Sequence, residues 1–204
     1  MKIKNKYVKA SSLYLFGNLF NKGIAFLTVG IYTRILTTYD YGIVNTYISW
    51  VGIISTITGL CLNSGIRASF TDYKNETYDF MSSITSLSII NFLMSSFLIL
   101  AIINGASLDV QKPLVILCLL QSFGTIICNN YNMYLMMKFN YKTRTLLMIL
   151  PNLISNILGI IIIIFVFDSD KYLGKIIPTA LVYFLIAIYL LILIYKRKRT
   201  FINI

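Results

Sequence analysis

The chain has 204 residues, 57% of them hydrophobic, with a mean hydropathy of +0.77 and a formal net charge of +11. Soluble domains are about 45–50% apolar by the same kind of count, and here the excess comes in blocks of roughly twenty residues, enough helix to cross about 30 Å of hydrocarbon. That excludes an ordinary soluble domain, and the absence of histidine excludes His-based acid–base chemistry, Ser-His or Cys-His triads and His-ligated metals.

The expected fold is all-α and polytopic, with six transmembrane helices at about 11–34, 41–63, 80–104, 113–136, 145–167 and 174–195. Basic tails at 1–10 and 196–204 flank this six-helix region. The first block is too long for a signal-peptide core and has no small-residue cleavage site, so no cleaved signal is expected. Thirteen Lys and Arg residues fall in the tails and in the loops after the second and fourth spans. Only four (Arg34, Lys112, Lys171 and Lys175) fall on the opposite side. This asymmetry puts both termini in the cytoplasm. The basic residues form no face interleaved with aromatics, so no nucleic-acid partner is expected.

The first span carries Asn18, Asn21 and Lys22 near its middle. A lysine at mid-bilayer costs roughly 2.5–3.5 kcal/mol on insertion scales. At 100° per residue, Ser11, Tyr14, Asn18, Asn21, Lys22, Ala25 and Tyr32 share one helix face. Phe16, Leu19, Phe20, Leu27 and Ile31 lie opposite. The expectation is a hydrated or protein-lined interior beside Lys22, against the plainer alternative of a structural bond to a neighbouring helix. The span ends in a polar corner, Arg34 to Gly42.

In the second span Asn45, Ser49, Gly52, Thr56, Gly59, Asn63 and Arg67 recur at three- and four-residue intervals. A packing seam accounts for the glycines; a cavity wall ending at Arg67 accounts better for Asn45, Asn63 and Arg67 together. The third span is serine-rich without a single polar face, which reads as helix packing. Pro113 suits the first turn of the fourth span, where Cys118, Gln121, Thr125, Cys128 and Asn132 share a face. In the fifth, Thr145, Met148, Asn152, Ser155, Asn156 and Gly159 do so, and Pro151 is expected to kink the helix. The sixth, from Pro178, is nearly featureless and expected to face lipid, with Lys196 to Arg199 anchored at anionic headgroups.

Cys61, Cys118 and Cys128 form no CxxC pair and read as small core residues. All seven acids lie in loops, so no intramembrane carboxylate is available for a proton relay. Amides, hydroxyls and a lysine suit a polar or anionic guest. No metal and no cofactor is expected.

The first seventy residues resemble the N-terminal half of O-antigen and polysaccharide flippases, in the multidrug/oligosaccharidyl-lipid/polysaccharide exporter superfamily. The matching elements are Gly17-Asn18 to Phe26-Leu27-Thr28, the corner Tyr32-Thr33-Arg34-Ile35-Leu36 to Asp40-Tyr41-Gly42, and Gly65-Ile66-Arg67. Lys138 to Arg144 is a weaker match to the family's basic fourth loop. The resemblance implies one lobe of a two-lobe flippase that moves polyprenyl-pyrophosphate-linked oligosaccharide across the bacterial cytoplasmic membrane by alternating access. It places Lys22, Arg34 and Arg67 in a cationic cavity, where the polar stripes add Asn18, Asn21, Asn63, Gln121, Asn132, Asn152 and Asn156 as substrate-binding candidates. Gly30 sits where the family often has proline. The chain supplies one lobe where the family has two, so a second six-helix lobe is an expected partner, alongside membrane lipid and the lipid-linked glycan. The alternatives are a small-molecule exporter of the same superfamily, and a scaffold or glycan-modifying membrane enzyme using Asp72, Glu76 and Asp79 with a metal. The exporter lacks its acidic residue and the enzyme lacks ligand spacing, so no enzymatic activity is expected.

Overall fold

The computed structural model describes residues 2–72, 76–105, 111–167 and 169–197, with the side chains of 2–11, 71, 72 and 197 left aside. Lys74, Asp109, Asp168, Lys198 and Arg199 lie outside the described residues. Among those described there are seven helices and no strand. They are α1 (Lys2–Ile35), α2 (Thr38–Gly59), α3 (Asn63–Asp72), α4 (Thr77–Gly105), α5 (Lys112–Met137), α6 (Tyr141–Phe165) and α7 (Lys171–Arg197).

Four of them, α4 to α7, are long and apolar enough to cross a membrane, and α2 with α3 makes a fifth if the bent pair is one span. This is a multi-pass membrane protein. α1 is not among the candidates, because Asn18, Asn21 and Lys22 dilute the apolar character of its middle.

The corner between α1 and α2 is closed by a capping box. Thr37 Oγ1 accepts from the Asp40 amide at 3.1 Å, and the Asp40 carboxylate accepts from the Thr37 amide at 3.3 Å and hydroxyl at 2.7 Å. These bonds satisfy donors that a helix start otherwise leaves open. Asp40 is buried, so the acid of the corner motif holds the turn. Arg34 occupies the last turn of α1, where a cation favours the helix dipole.

The second expected span is interrupted. Leu60 and Cys61 both have left-handed φ, 45° and 50°, which ends α2 at Gly59. α3 then leaves at 49°. The stripe from Asn45 to Arg67 therefore lies on two helices. α7 also departs from expectation: it starts at Lys171, runs through Pro178, and buries Ile176, Ala180, Ala187, Leu190 and Ile194. It packs against α5 and α6 on that side, while Leu181, Leu185, Tyr189 and Ile192 stay exposed on the other, in keeping with the expected lipid-facing surface. Pro113 opens α5 as expected, and α6 runs through Pro151 without ending.

α5 is central, touching α7, α2, α3, α4 and α6; α1 is peripheral and rests mainly on α6. Small residues let these helices approach, as in membrane bundles generally. A Cβ added to Gly124 on α5 would lie 2.6 Å from the Tyr183 carbonyl on α7, and one on Gly174 would lie 2.7 Å from Ile163 on α6. Cys118 and Cys128 are buried, while Cys61 is exposed at the helix break. The outer surface is apolar, with Phe26, Phe97, Leu98, Ile164 and Phe165 all exposed, as lipid-facing positions require.

Substituting Gly124→Ala should destabilise the folded chain by about 1–3 kcal/mol or more, because backbone has to move. Gly23→Ala, which meets nothing within 4 Å, should not. Thermal unfolding of the full chain in detergent separates the two.

Candidate functional site

Among the described residues the spans' polar side chains fall into separate groups. One group ties α1, α6 and α7 together. Asn21 on α1 donates to the Met148 carbonyl at 3.0 Å and accepts from Asn152 Nδ2 at 3.4 Å. Asn156 Nδ2 donates to the Asn152 carbonyl at 2.7 Å and to its side-chain oxygen at 2.9 Å. Lys175 Nζ on α7 donates to Asn156 Oδ1 at 2.6 Å and lies 4.7 Å from the centre of the Tyr32 ring. The Tyr32 hydroxyl donates to the Asn156 carbonyl at 3.2 Å.

The ammonium held within the helix packing is thus that of Lys175. The sequence expectation counts Lys175 only among the four basic residues on the side opposite the termini and places Lys22 inside. No carboxylate among the described residues pairs with Lys175. Its charge is instead shared between an amide oxygen and an aromatic face. Lys175 lies about one turn inside α7, closer to the membrane boundary than a mid-span lysine would be, which lowers the cost. The signal that could have found it is the run of Asn152 and Asn156 at one-turn spacing, which points to a donor on a neighbouring helix.

Lys22 and Asn18 are exposed on α1, since Asn21 takes the face that meets α6 and they sit beside it. On α2, Asn45, Ser49, Gly52 and Thr56 are exposed, while Val44, Tyr47, Val51, Ile54 and Thr58 turn inward. Two polar strips therefore remain open on helices whose other faces are packed or apolar. Arg34 and Arg67 are exposed as well.

The remaining candidates fall elsewhere. Gln121 is buried at the α2–α5 contact, where Tyr47 donates to it at 2.9 Å. Asn132 is half-buried, and its amide oxygen has no partner among the described residues. Asn63 lines a polar recess of about 130 Å³ with Ser55, Thr56, Asn129 and Asn130. A larger apolar groove of about 800 Å³ runs between α2, α4 and α5, walled by Trp50, Ile53, Ile57, Ile102, Leu114 and Val115. Neither concavity is lined by Lys22. Near the N-terminal half of α1, the Arg144 guanidinium stacks 4.1 Å from the Tyr14 ring. That fixes one residue of the basic fourth loop as part of the α1–α6 contact. Among the described residues, no cluster of Cys, Asp or Glu could hold a metal ion.

An all-helical multi-pass membrane protein with polar strips left open on an apolar bundle is the class these observations define. Residues 7–204 match the sequence profile of the family described as polysaccharide biosynthesis protein. The chain belongs to that family, the one its corner motif and first helix resemble. No curated protein and no solved structure matches the chain.

Asn156→Leu should cost about 3–5 kcal/mol, because it strands the Lys175 ammonium among apolar groups. Adding Lys175→Met should recover most of that loss, since the pair is then replaced by packing atoms. A double-mutant cycle on thermal unfolding in detergent checks the asymmetry.

Proposed function

We propose that the chain forms one lobe of a flippase that carries a polyprenyl-pyrophosphate-linked oligosaccharide from the inner to the outer leaflet of the bacterial cytoplasmic membrane. Family membership supports the connection to polysaccharide biosynthesis. The observation that carries the transport reading is the pair of open polar strips, Asn18 and Lys22 on α1 and Asn45 to Thr56 on α2. Ser49 and Thr56 donate to carbonyls of their own helix, but hydrocarbon cannot satisfy the Lys22 ammonium or the Asn18 and Asn45 amides. A second lobe facing them would enclose water, and the polar chamber would lie between lobes. Six apolar segments build each lobe in this reading, with α1 counted as a span because its polar strip faces that chamber.

In such a chamber Lys22 attracts the pyrophosphate, while the amides of Asn18 and Asn45 and the hydroxyl of Ser49 match sugar hydroxyls. Arg34 and Arg67 mark its two mouths. The second lobe is another polypeptide, a second copy or a continuation of the same coding sequence, and the two rock in alternating access. The activity is transport: no residue set in the strips offers a nucleophile with a base. Both termini lie in the cytoplasm, and the α2–α3 break faces that side.

Lys22→Ala, introduced at the native locus, should lower surface polysaccharide at least tenfold at unchanged protein level, and Lys22→Arg should retain it. Surface glycan equal to wild type in Lys22→Ala would remove the lysine from the pathway. A membrane-impermeant maleimide should label exposed Cys61 in inside-out vesicles and not in intact cells; the reverse result would invert the topology.

A further inference from the structure

The polar recess at the α2–α3 break has a chemistry that the transport reading does not use. Ser88 Oγ donates its only hydrogen to the Ile84 carbonyl at 2.8 Å. It can then only accept, so Asn130, whose Nδ2 lies 3.0 Å away, has to present its amino group to Ser88 and its oxygen elsewhere. Asn130 is 2% exposed and lines the recess, and among the described residues no hydrogen bond reaches its Oδ1. Unlike the Asn132 amide oxygen, it is not walled off from solvent; it is left to accept from, or coordinate, whatever occupies the recess.

The other oxygens are biased the same way. Ser55 and Thr56 each donate their hydroxyl hydrogen to the Gly52 carbonyl, at 3.1 Å and 2.8 Å, which leaves only lone pairs for the recess. α2 ends here, at Gly59, so the negative pole of a 22-residue helix lies at the site. The left-handed Leu60 and Cys61 unwind the backbone beside it. Interrupted membrane helices use such C-terminal ends and unwound carbonyls to hold monovalent cations. Asn63 and Asn129 complete the lining with amides that can turn an oxygen inward. Arg67, the nearest cation along the chain, is exposed and outside the lining.

We propose that this recess binds a monovalent alkali cation, coordinated by Asn130 Oδ1 and the oxygens of Ser55 and Thr56, with Asn63 or Asn129 and water filling the remaining positions. The volume of about 130 Å³ holds an ion with a few waters. Neutral oxygens alone suit a singly charged ion. Calcium and magnesium sites draw on carboxylates, and none lines this recess. The site stands or falls separately from the glycan reading, because its test involves no transport.

The purified full chain in detergent is titrated with NaCl and with KCl against choline chloride at constant ionic strength. The unfolding midpoint and equilibrium binding of labelled sodium are followed. One of the two alkali cations should raise the midpoint saturably while choline does not. Thr56→Val and Ser55→Ala, each on or near the open strip and folded at the wild-type midpoint in choline, should weaken the apparent affinity at least tenfold together. Asn130→Leu should abolish the response where it folds. An equal response to choline, no saturable response to either cation, or wild-type affinity in the Ser55 and Thr56 variants would each overturn the proposal.

Discussion

Hydrocarbon supplies no hydrogen bonds, so every polar group placed in a membrane helix has to find its partner in protein or in enclosed water. In this chain that constraint is met in two different ways. The Lys175–Asn156–Tyr32 contact meets it internally: ammonium, amide and phenol satisfy one another where α1, α6 and α7 converge. The rest of the ladder, through Asn152 to Asn21, fixes how α1 leans on α6. α1 is otherwise a peripheral helix, so this polar seam largely sets which of its faces remains outside.

That face carries Asn18 and Lys22, and the open face of α2 carries Asn45, Ser49 and Thr56. One asparagine of α1 is committed to packing and its neighbour is left available, although the two differ by only three positions. A helix turns residues three apart onto adjacent but distinct lines, and the α6 contact takes only one of them. The same division runs through α5, where Gln121 is used by Tyr47 and Asn130 by Ser88, with only one end of Asn130 remaining. The functional reading therefore rests on polar groups the bundle leaves over, at its rim and at the α2–α3 break.

Much of this was legible in the residues. Apolar blocks, polar stripes and the Thr37–Asp40 corner are local patterns, and helix periodicity, span length and capping depend on neighbours within a turn or two. Pro113 marked a helix start, and Cys118 and Cys128 marked interior positions. The break after Gly59 was hidden. Leu60 and Cys61 carry left-handed backbone without the glycine or asparagine that usually announces it. Lys175 was hidden because a lysine at the first turn of a span reads as a boundary charge, yet α7 begins earlier, at Lys171, and turns this side chain onto α6.

The sequence by itself determined the class of protein, its helical and membrane-spanning character and its family, because hydrophobic periodicity and motif spacing are properties of the chain before it folds. Only the tertiary structure decided which lysine is held inside and which faces outward, and which asparagines serve packing. Those outcomes depend on what lies across a helix–helix contact. Partners such as Asn21 and Asn152, 131 positions apart in the chain, are chosen by the rotation and approach of whole helices, which small residues such as Gly124, Gly159 and Gly174 permit.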